Sequence, residues 1–199
     1  FRILVTPVGP YFKGGDTSVA ITVSDYDRAA PHGTGNIKAG LNYAMSLYPH
    51  EKAHAEGYAE NLYLDPASRT YVEETGGANI LLVDREGNLV VPQSHSDSIL
   101  PSITRRSLVA LGRDVMGLNV IERPVKFSEL QAGDFVECGM CGTAAVISPV
   151  GEIDNGDTKV VYGMEHVGPV MKKLRETLTG IQSGAIEDKH NWVHKIDVE

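Results

Sequence analysis

Short strand-like runs alternate with a few longer helical segments along the whole chain, and no linker-like stretch divides them. The strand-like runs cover residues 3–5, 19–23, 61–64, 79–84, 89–91, 120–122 and 144–147. Residues 84–88 predict a hairpin turn in which Gly87 is free to adopt a positive φ. Strands and helices that mix without a strict βαβ rhythm predict an α+β domain or an irregular α/β barrel.

Three segments have the apolar spacing of helices, namely residues 40–48, 104–115 and 169–182. Pro49 is expected to end the first helix. The last helix has Pro169 at its start and Gly184 just past its end, which is the usual asymmetry of helix boundaries.

Charge and composition exclude several classes of function. The 199 residues carry 18 basic and 26 acidic side chains, and a net charge of -8 disfavours binding to nucleic acid. No apolar run is long enough to cross a bilayer and no secretory leader is recognisable, so we expect a cytoplasmic protein. The chain starts at Phe1, inside an apolar run and without Met, and we therefore expect that upstream sequence is missing.

Residues 32–43 contain the densest chemical signal, a glycine-rich turn that leads to Lys38 and then to a helix with Tyr43 in its first turn. By itself, a lysine near a helix start is most often a solvated charge. A lysine on a glycine-lined loop in a desolvated pocket can instead attack an aldehyde and form a Schiff base.

Several sequence blocks resemble the branched-chain aminotransferases, in the same order. They are residues 8–12, 33–43, 73–80, 98–105 and 141–150, followed by 181–184 and 191–192. The resemblance implies the fold of the D-amino-acid aminotransferase group, fold type IV of the pyridoxal-phosphate (PLP) enzymes. In that group a small N-terminal domain precedes a large one. It further implies that residues 1–199 form the large PLP-binding catalytic domain, with 1–30 as the approach to it, and that the protein is a homodimer.

The resemblance also assigns roles to individual residues. Lys38 would be the Schiff-base lysine and would move the proton between the substrate Cα and the cofactor. Glu74 would keep the pyridine nitrogen protonated, and Tyr43 would hydrogen-bond the phenolic oxygen. The remaining assignments are to the phosphate or the substrate: Ile103, Thr104 and Thr143 for the phosphate, Tyr11 and the backbone at Ala144 for the substrate. The start of a helix at Ile103 and Thr104 independently favours an anion.

The chain departs from the family pattern in three respects. Ser102 stands where glycine is usual before the phosphate-binding turn, and Gly139 stands where an aromatic residue is common. The resemblance implies that the family's phosphate-clamping arginine and part of its substrate pocket belong to an N-terminal region, which we expect to lie outside these 199 residues.

Two other motifs suggest different chemistry. Residues 50–54 fit the zinc-peptidase pattern H-E-x-x-H, with Glu60 as a conceivable third ligand. Against this, Pro49 should break the helix, and the flanking Lys52, Glu56 and Glu60 resemble a solvated helix face. Cys138 and Cys141 have C-x-x-C spacing, but no second pair completes a zinc site, so two buried, inert thiols are expected.

The resemblance implies PLP-dependent transamination of leucine, isoleucine and valine, with 2-oxoglutarate as the amino acceptor. One alternative is an inactive or structural aminotransferase-like fragment without its N-terminal domain. The other is the H-E-x-x-H zinc peptidase. If the protein is an aminotransferase, no metal ion is expected.

Overall fold

The computed structural model describes residues 1–7 and 17–196. The strands in these ranges are β1 (Val19–Val23), β2 (Glu60–Leu64), β3 (Val72–Thr75), β4 (Asn79–Asp84), β5 (Leu89–Pro92), β6 (Val120–Arg123), β7 (Phe135–Gly142), β8 (Val146–Asp154) and β9 (Lys159–Val161). The helices are α1 (Gly40–Ala55), α2 (Ile103–Asp114), α3 (Phe127–Gln131) and α4 (Pro169–Ser183).

Six of the strands together form a closed ring. They pair in the order β3-β2-β1-β8-β7-β4, and a further pairing of β3 with β4 completes the ring. Strand β1 is parallel to β2 and to β8, whereas β2–β3, β4–β7 and β7–β8 are antiparallel. Strands β5 and β6 extend the sheet from β4, and β9 pairs with β8. The α+β class with an irregular barrel is therefore confirmed.

Strand β4 shows how the barrel is buried on both faces. Ile80 and Leu82 pack into one apolar cluster with the interior side chains of β2 and β7. Leu81 and Val83 point the opposite way into a second cluster with α2 and α4. Side chains that alternate along a strand reach opposite faces, so a continuous apolar run predicts a strand that is covered on both sides.

The helical predictions are correct for α2 and α4 and wrong for the end of α1. Gly184 ends α4 with φ 77°, in the left-handed conformation expected of a C-terminal glycine. Helix α1, however, continues through Pro49 to Ala55. Pro49 is buried there, so its packing contacts outweigh the backbone hydrogen bond that a proline cannot donate.

The strand predictions fail where local sequence is a weak guide. Residues 3–5 form no strand, and residues 144–145 belong to a turn rather than to β8, which begins at Val146. Strands β3, β7 and β9 and the short helix α3 were not predicted. Strand β3 contains Glu73 and Glu74 and β7 contains two glycines, so neither has the expected apolar alternation. Within the described residues, no helix is long and apolar enough to cross a membrane.

A buried carboxylate on β7 caps helix α4. Glu137 is 6% exposed and accepts hydrogen bonds from the backbone N–H groups of Val170 (3.1 Å) and Met171 (2.9 Å). These are two of the N–H groups that a helix leaves without an internal partner. A negative charge at this end also interacts favourably with the helix dipole.

We expect Glu137→Ala to lower the free energy of unfolding by about 2–3 kcal/mol, because two buried N–H groups lose their acceptors. Urea denaturation measures the change. Glu176→Ala, which removes an exposed carboxylate from the same helix, should change stability by less than about 0.5 kcal/mol. Equal effects of the two substitutions would contradict the capping role.

Candidate active site

Lys38 lies in a short loop that a single asparagine closes onto the start of α1. Asn42 is 1% exposed, and its Nδ2 donates to the carbonyl oxygens of Thr34 (2.7 Å) and Ile37 (2.9 Å). Its Oδ1 accepts from the Thr34 hydroxyl at 2.9 Å. The loop is therefore fixed on both sides of Lys38, while the lysine side chain itself is exposed. Tyr43 follows in the first turn of α1 and is half-buried.

Glu74 is buried at 3% exposure and forms an ion pair with Arg28, whose Nη2 lies 2.5 Å from Glu74 Oε1. The same Oε1 accepts the backbone N–H of Leu100 at 2.8 Å, and Oε2 accepts from Asn79 Nδ2 at 2.9 Å. Glu74 is thus oriented by three donors. It is a buried residue and not a surface glutamate.

Burial raises the pKa of Glu74 to about 8, although the charge of Arg28 and the Leu100 N–H act in the opposite direction. Desolvation disfavours the charged form of a carboxyl group, and an opposite charge nearby favours it. The carboxyl group therefore exchanges its proton near neutral pH. A cationic ring nitrogen placed beside it would favour the ionised form.

Residues 94–102 run from β5 to α2 and are hydrogen-bonded to side chains of β3 and β4. Glu73, the neighbour of Glu74, accepts hydrogen bonds from the hydroxyls of Ser94 (2.8 Å) and Ser98. Asn79 Nδ2 also donates to the Leu100 carbonyl at 3.1 Å. Burial raises the pKa of Glu73, and the two serine hydroxyls oppose that shift. These bonds fix the approach to the start of α2 relative to Glu74.

The start of α2 has the features of an anion-binding site. Ser102 is the N-cap, with φ -69°, and its hydroxyl accepts the backbone N–H of Arg105 at 3.2 Å. The N–H groups of Ile103 and Thr104 lie in the first turn, where no helical carbonyl can reach them. The serine that replaces the family's usual glycine is therefore accommodated without strain, and it serves as a cap.

Thr143 and Ala144 are exposed in the turn between β7 and β8. This turn begins next to Cys141, which pairs across the sheet with Asn79, and Asn79 in turn pairs with Glu74. The turn therefore lies at the same end of the barrel as Glu74. Tyr11, the other residue assigned to the substrate, lies outside the described residues.

Gly139 leaves space that a methionine fills. A Cβ at Gly139 would lie 3.0 Å from Met171 Sδ and 3.3 Å from Ile147 Cγ2. The volume that an aromatic residue would take is thus occupied by α4. Cys138 and Cys141 are buried and free, as expected, and they belong to apolar clusters on opposite faces of β7. Burial raises the pKa of both thiols.

The H-E-x-x-H motif forms one face of α1. The rings of His50 and His54 lie 4.3 Å apart, and Glu60 Oε1 is 3.5 Å from His50 Nδ1. The sequence analysis was wrong in two details of this motif. Helix α1 is not broken at Pro49, and Glu60 is a buried residue of β2 rather than part of a solvated helix face. Among residues 1–7 and 17–196, no group of three His, Cys, Asp or Glu side chains could hold a metal ion.

The comparisons with known proteins agree on one family. Residues 4–153 match the model of amino-transferase class IV. The branched-chain-amino-acid aminotransferase of Haemophilus influenzae is 45% identical over 99% of this chain and 58% of its own length. The crystal structure of the Escherichia coli branched-chain amino acid aminotransferase has a TM-score of 0.83 at 32% identity, covering 96% of this chain and 60% of that one.

A lysine on a loop that Arg28 joins to a buried acid is an arrangement that suits Schiff-base chemistry with a carbonyl group. The chain belongs to the class IV aminotransferase family. It spans a little over half the length of the curated relatives that it matches. A further similar structure, of Thermobaculum terrenum branched-chain amino acid aminotransferase in its PLP-form, has a TM-score of 0.70 at 32% identity, and it covers 85% of this chain and 52% of that chain.

The residues present fit PLP. A buried carboxylate, held by three donors, suits a protonated ring nitrogen, and the capped start of α2 suits a phosphate. Sequence reasoning missed Arg28, Asn42, Glu73 and Asn79. The contacts of Arg28, Glu73 and Asn79 join segments that lie far apart in the chain, whereas Asn42 binds residues of the preceding loop. Arg28, for example, is a charged residue followed by Ala29, Ala30 and Pro31, and this local sequence gives little sign that its side chain is buried.

Proposed function

We propose that the protein transfers the amino group of leucine, isoleucine or valine to 2-oxoglutarate with PLP as cofactor and Lys38 as its attachment point. Family membership and the similarity to branched-chain aminotransferases support the reaction type and the substrate class. The single observation that carries the proposal is the buried Glu74, held by Arg28 at 2.5 Å and joined through it to the Lys38 loop.

Bound PLP supplies an electron sink for the bond that breaks at the substrate Cα. Glu74 would hold a proton at the ring nitrogen, and Tyr43 would donate to the phenolic oxygen. Lys38, on its exposed loop, would hold the cofactor between turnovers and move the proton at the substrate Cα. The N–H groups of Ile103 and Thr104, with Thr143, would bind the phosphate. The family resemblance assigns the backbone at Ala144, with Tyr11, to the substrate.

The test has two stages. Purified protein is mixed with PLP, its visible absorption is recorded, and borohydride reduction followed by peptide mapping locates the cofactor. We expect a visible band and a single modified lysine, Lys38. Adding leucine should bleach the band and 2-oxoglutarate should restore it, whereas D-alanine should have no effect.

Labelling that scatters over surface lysines, with no visible band, would reject the proposal for this chain. It would favour the alternative of an inactive aminotransferase-like fragment. A band that D-alanine bleaches and leucine does not would keep the cofactor and overturn the substrate class.

We further propose that residues 1–199 are the large catalytic domain of a cytoplasmic homodimer. The family resemblance supports this assembly, and so does an apolar stripe on α1 formed by Leu41, Met45 and Tyr48, each about half exposed or more. An exposed apolar stripe on a helix favours contact with another protein surface. Sedimentation equilibrium should give twice the mass of the chain, and the mass of one chain would contradict the dimer.

A further inference from the structure

Arg28 connects three separate segments through one nitrogen atom. It is 5% exposed, and its Nη2 lies 2.7 Å from the carbonyl oxygen of Gly35, 2.7 Å from that of Ser98 and 2.5 Å from Glu74 Oε1. Gly35 belongs to the Lys38 loop, Ser98 to the approach to α2, and Glu74 to β3. These are the segments that carry the lysine, the phosphate-binding turn and the acid of the proposed site.

We propose that Arg28 is a positioning residue, which fixes the Lys38 loop, Glu74 and the approach to α2 relative to one another. The proposal deepens the proposed function and rests on it for its catalytic meaning. The contacts of Arg28 lie within the chain itself, so they can be tested separately from cofactor binding.

The close approach of two of these segments supports the proposal independently. Gly35 packs directly on the backbone of Ser98, and a Cβ at Gly35 would overlap the Ser98 Cα and carbonyl group. Each of the two carbonyl oxygens lies 2.7 Å from Arg28 Nη2, and a buried carbonyl without a hydrogen bond is costly. Arg28 supplies the donor to both.

Arg28 also balances charge in this part of the core. Glu73 and Glu74 are both buried on β3, and Arg28 acts on both of them. Arg105 also lowers the pKa of Glu74, but more weakly than Arg28 does, and Cys141 interacts electrostatically with Glu74. Removing Arg28 therefore leaves a buried carboxylate that must either take up a proton or remain unpaired.

Substitution of Arg28 by lysine or by methionine separates its positive charge from its hydrogen bonds. A lysine keeps the positive charge, but its Nζ is one covalent bond closer to Cα than Nη2, so it cannot span the same three oxygens. A methionine removes both the charge and the donors. Arg28→Met combined with Glu74→Gln removes both members of the ion pair, which guards against a single variant that fails to fold.

The first measurement is amide hydrogen exchange of the protein without PLP, followed by mass spectrometry of the peptides that cover residues 33–40 and 94–102. We expect exchange in both segments to become faster by on the order of tenfold or more in Arg28→Lys and in Arg28→Met. Arg85→Met removes an exposed arginine from the hairpin turn after β4 and should leave both peptides unchanged.

The second measurement is the pH dependence of the visible band of the PLP-bound protein. We expect Arg28→Lys to keep the wild-type profile, because the charge beside Glu74 remains. In Arg28→Met the ionised form of Glu74 is disfavoured, so the profile should shift by about one pH unit or more.

Exchange in Arg28→Met that equals exchange in Arg85→Met would overturn the proposal. So would faster exchange in only one of the two segments, since Arg28 would then not join them. If the wild-type protein forms no band with PLP, the proposed function fails, while the exchange measurement still decides the role of Arg28.

Discussion

Lys38→Ala should abolish the visible band formed with PLP and lower the rate of transamination by at least about 10³-fold. The substitution removes the attachment point of the cofactor and the group that moves the proton at the substrate Cα, and acid–base catalysis alone contributes about 10²–10⁴-fold. Absorption spectra and a coupled assay with leucine and 2-oxoglutarate measure the two effects. Because the side chain is exposed, the free energy of unfolding should hardly change.

The matched control is Lys52→Ala, which removes an exposed lysine from helix α1. It should keep the band and the rate of the unmodified protein. If Lys38→Ala retained a tenth of the activity, another lysine would have to hold the cofactor and the central assignment would be wrong.

Glu74→Gln should lower the rate of transamination by about 10²–10³-fold while PLP still attaches to Lys38. An amide of nearly the same size still accepts the Leu100 N–H, but it carries no charge to hold a proton at the ring nitrogen. Loss of one preorganised electrostatic contact in an active site typically costs this much. Steady-state rates together with the absorption spectrum distinguish slow turnover from lost cofactor.

The same substitution tests the pKa of Glu74 in the protein without cofactor. Burial raises this pKa from the ordinary value of 4.5 to about 8, so between these pH values the folded protein binds the proton more tightly than the unfolded chain. The stabilising contribution is complete below pH 4.5 and is lost as the pH rises through 8. Its loss should be on the order of 1 kcal/mol or more, and Glu74→Gln should abolish it.

Urea denaturation at several pH values measures that dependence. Glu86→Gln, at an exposed position in the hairpin turn, serves as the control and should retain the dependence of the unmodified protein. A dependence that persists in Glu74→Gln would assign the titration to another group, such as Glu73.

Much of the barrel could be predicted from the sequence, because its signals are local. The apolar run at residues 79–84 specifies a strand covered on both faces, and Gly87, found at φ 84°, allows the hairpin turn that follows. The proline at the start of α4 and the glycine after its end mark a helix by their fixed or permissive φ values. The family resemblance supplied the roles of Lys38 and Glu74, which local patterns alone leave open.

The tertiary structure alone decided which charges are buried and what they bind. Arg28 and Glu74 are 46 positions apart in the numbering, and no local pattern reveals that their side chains meet 2.5 Å apart. Glu60, Glu73 and Glu137 have the polarity of surface residues, but the closed barrel and the packing of α4 bury them. A sequence specifies secondary structure through contacts a few residues apart, whereas burial, and with it charge pairing and pKa, depends on segments that only the closure of the barrel brings together.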